Sequence, residues 1–576
     1  MSSTFFQSPP DPGHPFRDDL VLQDLLVREL PSDLHQQLMP SLDALGQRVR
    51  DEVQPLGDHA ETHPPRHIPY DPWGRRIDHI EVSASWKALE RIAAEEGLVA
   101  TGYLRREAEH ARQHQFVRLY LYSPASAIFT CPLAMTDGAA RAIELYGDDF
   151  LRQHAYPRLI SRDPAHFWTS GQWMTERTGG SDVSGTSTVA RWDGQQFRLY
   201  GTKWFTSATT SQMAMTLARI EGHPAGSRGL SMFYLELRDG SGRLQNITVH
   251  RLKDKLGTKA LPTAELTLEG TPARLVGGEG HGVRKIASLF NITRIYNSVC
   301  AVSMMRRGIA LARDYAHKRE AFGRPLSRQP LHVETLAALQ LQFEASFHLT
   351  FEVVKLLGLE ELGKASPEES AVLRLLTPIT KLFTAKEGVQ LASEILEAFG
   401  GAGYVEDTGL PRLLRDAQVL AIWEGTTNVL SLDTLRALEK EAALAPWQAW
   451  LSGMLMGARG TPLELEAARI SAGLQAVTSW LEQAQDSELV QAGARGLALS
   501  MARLTCAALL VRHALWHRRA GTAHGQDPHA PLSRVMTAAR AERVARRWSE
   551  QPLVTLSTRD KHHLLDSQLL GMESLL

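Results

Sequence analysis

At 576 residues the chain is too long for one hydrophobic core, so three or four packed units and a large protected site are expected. Its 43% hydrophobic and 22% charged residues are those of an ordinary globular protein, and a net charge of -1 excludes whole-surface attraction to a polyanion, leaving local contacts only. Cys131, Cys300 and Cys506 are too widely spaced to signal a disulfide framework or a thiolate metal site, so no metal is expected and a reducing cytoplasm fits best.

The start lacks the basic flank and apolar run of a secretory signal. Residues 1–80, rich in Pro, His and Asp, read as an irregular N-terminal arm. From 81 to 170, Trp86 to Ala94 and Ala139 to Leu145 carry apolar residues at helical spacing. From 171 to 275 the pattern becomes β-rich, with runs Phe197 to Phe205 and Leu230 to Leu237 set between Gly, Asp and Ser turns. Helical periodicity returns over 276–440, in long segments such as Val283 to Arg319 and Leu331 to Leu357. Residues 441–576 form a further Ala/Leu/Arg-rich helical region. Its most apolar stretch, Leu497 to Trp516, contains Arg503 and Arg512 and so reads as a buried helix with no membrane insertion.

Three segments carry candidate chemistry. Met174-Thr175-Glu176-Arg177-Thr178-Gly179-Gly180-Ser181-Asp182-Val183 lies where helices give way to strands. Its glycines admit close backbone approach to a planar ring or phosphate, and Thr175 and Ser181 offer hydroxyls; a plain polar turn is the alternative. Lys203-Trp204-Phe205-Thr206-Ser207 ends a β run and can present a π face and hydroxyls to a ring, or simply pack a core. The third runs from Glu397-Ala398-Phe399-Gly400-Gly401-Ala402-Gly403-Tyr404 through Arg412-Leu413-Leu414-Arg415-Asp416 to Ile422-Trp423-Glu424-Gly425-Thr426-Thr427-Asn428. Beside apolar Ile422 and Trp423, the Glu424 carboxylate is expected to hold its proton more tightly than usual, as suits a base that takes a proton from carbon. Alternatively, Glu424 only caps a helix from Thr427 to Leu438.

Together with Lys318-Arg319-Glu320-Ala321-Phe322-Gly323, these motifs resemble the acyl-CoA dehydrogenase family over residues 80–440. The resemblance implies an α+β fold: an N-terminal helical domain, a middle β domain and a C-terminal four-helix bundle, here with an extra C-terminal helical region. It also implies noncovalent FAD and a homotetramer. By position, Met174, Thr175, Ser181, Trp204, Phe205, Thr206 and Ser207 fall where the family contacts the flavin. Arg319 matches a phosphate contact, and Gly400 and Gly401 the adenosine-side turn. Ile422, Trp423, Gly425, Thr426 and Asn428 continue the flavin-binding turn around Glu424, the catalytic base position of one branch. Ser181, Thr293 and Arg294 match substrate-side positions for an acyl-CoA. The implied reaction is α,β-dehydrogenation of an acyl thioester.

Several segments resemble the AidB-type alkylation-response branch more narrowly: Tyr70 to Asp78, Cys131 to Thr136, Arg251 to Gly257 and Leu432 to Arg436. That branch binds double-stranded DNA and has weak dehydrogenase activity. Asn291 stands where many metabolic members carry an acid, which points the same way. Residues 501–550 hold nine Arg and no Lys against Asp527, Glu542 and Glu550. In Ala538 to Trp548, Arg540, Arg543, Arg546 and Arg547 lie opposite Ala541, Val544, Ala545 and Trp548 on a helical wheel. With Arg436, Arg518 and Arg519 they are candidate phosphate contacts, the alternative being a solvated helix face. Two functions therefore stand side by side: a DNA-associated flavoprotein of the alkylation response, and a metabolic acyl-CoA dehydrogenase with an added domain.

Overall fold

The computed structural model describes residues 7–484, 487–523, 537–556 and 571, with backbone alone for 520–523. By compactness the chain divides into two units. The first comprises Met1–Met39, Met305–Tyr404 and Leu420–Leu576, and the second Pro40–Met304 and Val405–Val419.

Residues 1–80 are not an irregular arm. They hold α1 (Leu20–Glu29), α2 (Ser32–Arg48), α3 (Gln54–Thr62) and a hairpin of β1 (Arg66–Tyr70) and β2 (Arg76–Glu81). Composition conceals the pattern: Leu22, Leu25, Leu26, Leu38, Leu42 and Leu45 recur at helical spacing and are all buried. Asp19 caps α1 by accepting from the Leu22 amide at 3.0 Å.

In the second unit α4 (Ala84–Glu95), α5 (Ala111–Tyr122) and α6 (Thr130–Tyr146) form the helical part. A polar knot fastens it. The buried Asp137 carboxylate accepts from Tyr103 at 2.7 Å, Arg112 at 2.9 Å, Gln115 at 2.6 Å and Tyr296 at 2.9 Å. A charge at such depth is tolerable only with partners of this number.

The strands of the same unit are β3 (Ser170–Trp173), β4 (Val189–Trp192), β5 (Phe197–Ser207), β6 (Met213–Ile220), β7 (Leu230–Glu236), β8 (Ile247–Leu252) and β9 (Thr263–Val276). Their order is β3-β6-β4-β5-β9-β7, with β8 on β9 and β7 paired back to β6. Strands β6, β4, β5, β9 and β7 thus close into a ring, which removes the exposed edges of an open sheet. Alternate residues such as Leu199, Phe233, Leu235, Leu266 and Leu268 fill its core.

Helices then return: α7 (Gly282–Lys318), whose residues from Met305 onward belong to the first unit, α8 (Pro330–Glu361), α9 (Pro367–Ala398), α10 (Pro411–Leu420) and α11 (Thr427–Lys440). The C-terminal region adds α12 (Leu444–Leu455), α13 (Glu464–Gln483), α14 (Ser487–Ala523) and α15 (Ala538–Ser549). Helix α14 is long and apolar enough to cross a membrane by length and composition, but 78% of its most apolar window is buried within the structure. It also carries charge inward, Arg512 pairing with Glu352 of α8 at 2.9 Å. Both features mark a core helix.

Candidate active site

The candidate residues divide between the two units. In the second, the loop after β3 is fixed to the end of β5 in two ways. The Trp204 amide donates to the Thr175 carbonyl at 3.0 Å. Beside it, buried Glu176 accepts from Lys203 at 2.8 Å and from the Ser187 amide and hydroxyl, both at 2.6 Å. Burial alone would raise the Glu176 carboxyl, but Lys203, Ser187 and Thr188 outweigh it and hold it at about 2. Burial in turn lowers the Lys203 ammonium, with Glu176 opposing. Gly180 packs closely here: a Cβ at that position would meet the Thr175 hydroxyl at 2.8 Å and displace that side chain.

In a regular strand Trp204 and Phe205 would point to opposite faces. A register shift between Lys203 and Thr206 instead brings both rings to one ammonium, with Lys253 Nζ 3.9 Å from the Trp204 ring centre and 4.5 Å from that of Phe205. The same shift corrects one expectation. Thr206 is turned into the sheet, fully buried, and its hydroxyl donates to the Ala264 carbonyl at 2.7 Å rather than facing a ring. Ser207 pairs with the Thr263 hydroxyl at 3.1 Å. Buried Thr293 likewise donates to the Phe290 carbonyl, at 3.1 Å, because it lies on an inward face of α7, while Arg294 is half-buried. Met174 is buried; Thr175 is half-buried and Ser181 exposed, and neither hydroxyl has a partner among the described residues.

In the first unit Arg319 is exposed at the end of α7, beside a short hairpin whose tip places Phe322 at 98% exposure. After α9 the chain makes a tight turn in which Gly400 and Gly401 have open space where a side chain would begin. Glu424 has a φ of +57°, a left-handed conformation that costs a non-glycine residue on the order of 1–3 kcal/mol and so marks a turn held by its surroundings. Holding it is Lys381 of α9, fully buried, whose Nζ donates to the Trp423 carbonyl at 2.7 Å and to the Gly425 carbonyl at 2.6 Å. Glu424 does not cap α11. Thr426 does, accepting from the Val429 amide at 3.5 Å, and Asn428 is exposed in the first turn. The apolar surroundings expected for Glu424 are only partly present, since Ile422 is 62% exposed. The motifs contain Glu176, Lys203 and Lys253 without assigning them a role, and they do not reach Lys381. A lysine amid Ile379, Thr380, Leu382 and Phe383 is the signal that could have found the last.

The arginines of the C-terminal region are largely committed. Arg540 forks onto Glu344 of α8 (3.0 Å for one bond), Arg547 meets Glu334 at 2.5 Å, Arg546 lies 3.4 Å from Glu466 of α13, and Arg518 meets Glu542 at 2.5 Å. The basic face expected of α15 is thus mostly neutralised by carboxylates distant in sequence. Arg436 and Arg543 are exposed with no ion pair among the described residues, and Arg519 is exposed. Arg534, counted with this cluster, lies outside the described residues.

One side-chain cluster has metal-like spacing. Ligand atoms of Asp24, His513 and His517 lie within 4.8 Å of one another. Yet Arg28 Nη1 sits 2.6 Å from His513 Nδ1. A guanidinium only donates, so that nitrogen keeps its lone pair and the proton resides on Nε2, 3.0 Å from Asp24, where a metal would have to bind. With His517 Nε2 2.8 Å from the Asp24 carboxylate and Arg28 on His513, the cluster is a buried polar core joining α1 to α14.

The β unit thus displays two aromatics around Lys253 on its bulged strand, and the bundle strains a glutamate into the left-handed region. Residues 171–271 match the middle domain and 280–438 the C-terminal domain of acyl-CoA dehydrogenases. Residues 7–163 match the adaptive response protein AidB N-terminal domain, and 443–576 the acyl-CoA dehydrogenase 11 C-terminal domain-like family. The chain is 44% identical over 528 residues to acyl-CoA dehydrogenase family member 11 of Caenorhabditis elegans, covering 88% of this chain and 86% of that one. It is 33% identical to AidB of Escherichia coli (strain K12), over 70% of this chain and 74% of that relative. The crystal structure of Caenorhabditis elegans ACDH-11 in complex with C11-CoA superposes with a TM-score of 0.93 at 41% identity, covering 99% of this chain and 97% of that one. The protein belongs to the acyl-CoA dehydrogenase family, in its AidB-like branch, and is an FAD-dependent oxidoreductase acting on CH–CH groups.

Proposed function

We propose that the protein removes hydrogen across the α and β carbons of an acyl-CoA of medium chain length, with Glu424 as the base that takes the α-proton. The observation that carries this reading is the turn at Trp423–Gly425, where a carboxylate is held in a strained conformation by a buried lysine. The residues present also fit FAD: in one unit the Thr175 and Ser181 hydroxyls, unpartnered among the described residues, and the Trp204 and Phe205 rings supply hydrogen bonds and a π surface, and in the other the exposed Arg319 and the open space at Gly400 and Gly401 supply a phosphate contact and room for a planar group. Bound FAD supplies the hydride acceptor; the chain supplies orientation and proton transfer. The chain length follows the C11-CoA complex of the relative.

Anaerobic titration with acyl-CoAs of graded length, followed at the flavin absorption band, tests the reading. Bleaching strongest near eleven carbons is expected, with Glu424→Gln retaining FAD and losing the bleaching. Absence of bleaching with every acyl-CoA, or an undiminished rate in the variant, overturns it. Exposed Phe322, Leu331 and Tyr404 support association into the tetramer typical of the family, which sedimentation measures. The buried cysteines, none of them in a disulfide among the described residues, support a reducing, cytoplasmic setting. Duplex-DNA binding in an alkylation response draws its support from exposed Arg436 and Arg543.

A further inference from the structure

We propose that Lys381 is a positioning residue for Glu424: its ammonium clamps the carbonyls on either side of the glutamate and so fixes the left-handed turn that aims the carboxylate. The proposal rests on Glu424 being the base. The Trp423 and Gly425 carbonyls lie between the end of α10 and the Thr426 cap of α11. An ammonium offers three donors from one point, and Lys381 uses two of them here, at 2.7 and 2.6 Å. The two clamped peptide planes bracket the φ and ψ of Glu424 and Gly425, so a single side chain restrains the torsions that decide where the carboxylate goes. Simple packing does not call for this residue. A fully buried ammonium is costly, and an apolar side chain would fill the same space in the bundle without that cost.

Helix α9 grips the same segment a second time. Arg374, seven residues earlier and therefore on the same face, donates to Asp433 of α11 at 2.7 Å. It holds the helix that follows the glutamate but not the turn that contains it. Arg374 is therefore the natural control: its loss loosens α11, whereas loss of Lys381 releases Glu424.

The test uses FAD-loaded full-length protein and the variants Lys381→Met, Lys381→Gln, Lys381→Arg and Arg374→Gln. Hydrogen exchange read by mass spectrometry over residues 421–430 needs no substrate. It is expected to accelerate about tenfold or more in Lys381→Gln and Lys381→Met, and to stay near wild type in Lys381→Arg, which keeps charge and donors. With a bleaching acyl-CoA, kcat is expected to fall about 100-fold in the neutral variants with KM within about threefold, to recover at least tenfold in Lys381→Arg, and to change little in Arg374→Gln. Should Lys381→Met fail to fold, the Gln and Arg variants decide between them. Wild-type exchange in Lys381→Gln, or equal loss in Arg374→Gln, overturns the proposal. If Glu424→Gln keeps wild-type turnover, the assignment of the base fails instead, and the exchange measurement still reports on the clamp.

Discussion

The glutamate turn and the arginine helix α15 lie in the same unit, and each is conspicuous in the amino-acid sequence, yet their side chains have opposite fates. At Trp423–Gly425 the unusual feature is the backbone, a left-handed residue followed by glycine, with a buried lysine on the carbonyls at both sides. In α15 the unusual feature is charge, and most of it is absorbed by Glu344, Glu334 and Glu466 on other helices. Local backbone demands leave a local signature. Charge does not, because the partners that cancel it come from anywhere in the chain.

The largest expected effect concerns acid. Burial first, then Arg28, lowers His513 to about 4 against the opposing pull of Asp24, and burial holds His348 well below its ordinary value. A histidine held down in this way binds its proton more weakly folded than unfolded. Its cost is nil above 6.5 and grows as pH falls towards 4, reaching about 3 kcal/mol for His513. Glu176 behaves differently: its depressed carboxyl contributes stability that is lost only as pH falls from 4.5 towards 2. Acid titration followed by hydrogen exchange is therefore expected to open α14 and α1 before the β ring. Simultaneous opening would break the contrast between the two buried assemblies.

Next in size is Arg540→Gln, which leaves Glu344, 2% exposed, without its cation. Breaking a buried pair costs about 3–5 kcal/mol, and because the Arg540 side chain is itself 30% exposed about 2–3 kcal/mol is expected in urea unfolding. A shift below about 0.5 kcal/mol would return Arg540 to the pool of free charge. Smaller again is Thr426→Ala, whose lost cap is worth about 0.5–1 kcal/mol given its 3.5 Å bond. It is expected to lower stability while Glu424→Gln lowers turnover alone; the reverse pairing would make Glu424 the structural residue.

Element types and the order of helices, strands and helices are legible because long periodic segments such as 283–319 leave little ambiguity, and β5 ends two residues beyond its expected limit. The N-terminal helices are not legible: composition hides them, and their leucines show helical spacing only when counted. Of the candidate site, the glycine loop, the aromatic pair and the turn at Glu424 are located by their motifs, and their roles belong to the proposed function. The inward turn of Thr206 cannot be read this way, because it depends on a bulge between two residues that alternation alone would place on opposite faces. Nor can the roles of Lys203 and Lys381, which are set by Glu176 and by carbonyls 42 and 44 residues away.

The smallest expected effect lies in DNA binding. Each phosphate neutralised by a lysine or arginine adds about 0.9 to the magnitude of the log-log slope of affinity against salt. Were all of Arg540, Arg543, Arg546 and Arg547 free, replacing the four with Gln would reduce that slope by about 3.6. Three of them are held by carboxylates, and a guanidinium shared with Glu344 or Glu334 has less to give to a phosphate. Arg543 and Arg436 remain, so Arg543→Gln and Arg436→Gln are each expected to lower the slope by about 0.9, and Arg540→Gln to leave it unchanged. Fluorescence anisotropy with a short duplex at several salt concentrations measures all three variants. If Arg540→Gln moves the slope as far as Arg543→Gln does, its fork on Glu344 opens to receive DNA, and the arginine helix is a nucleic-acid surface after all. If none of the three moves it, duplex binding does not run through these helices, and FAD content, which none of them touches, is expected to stay constant throughout.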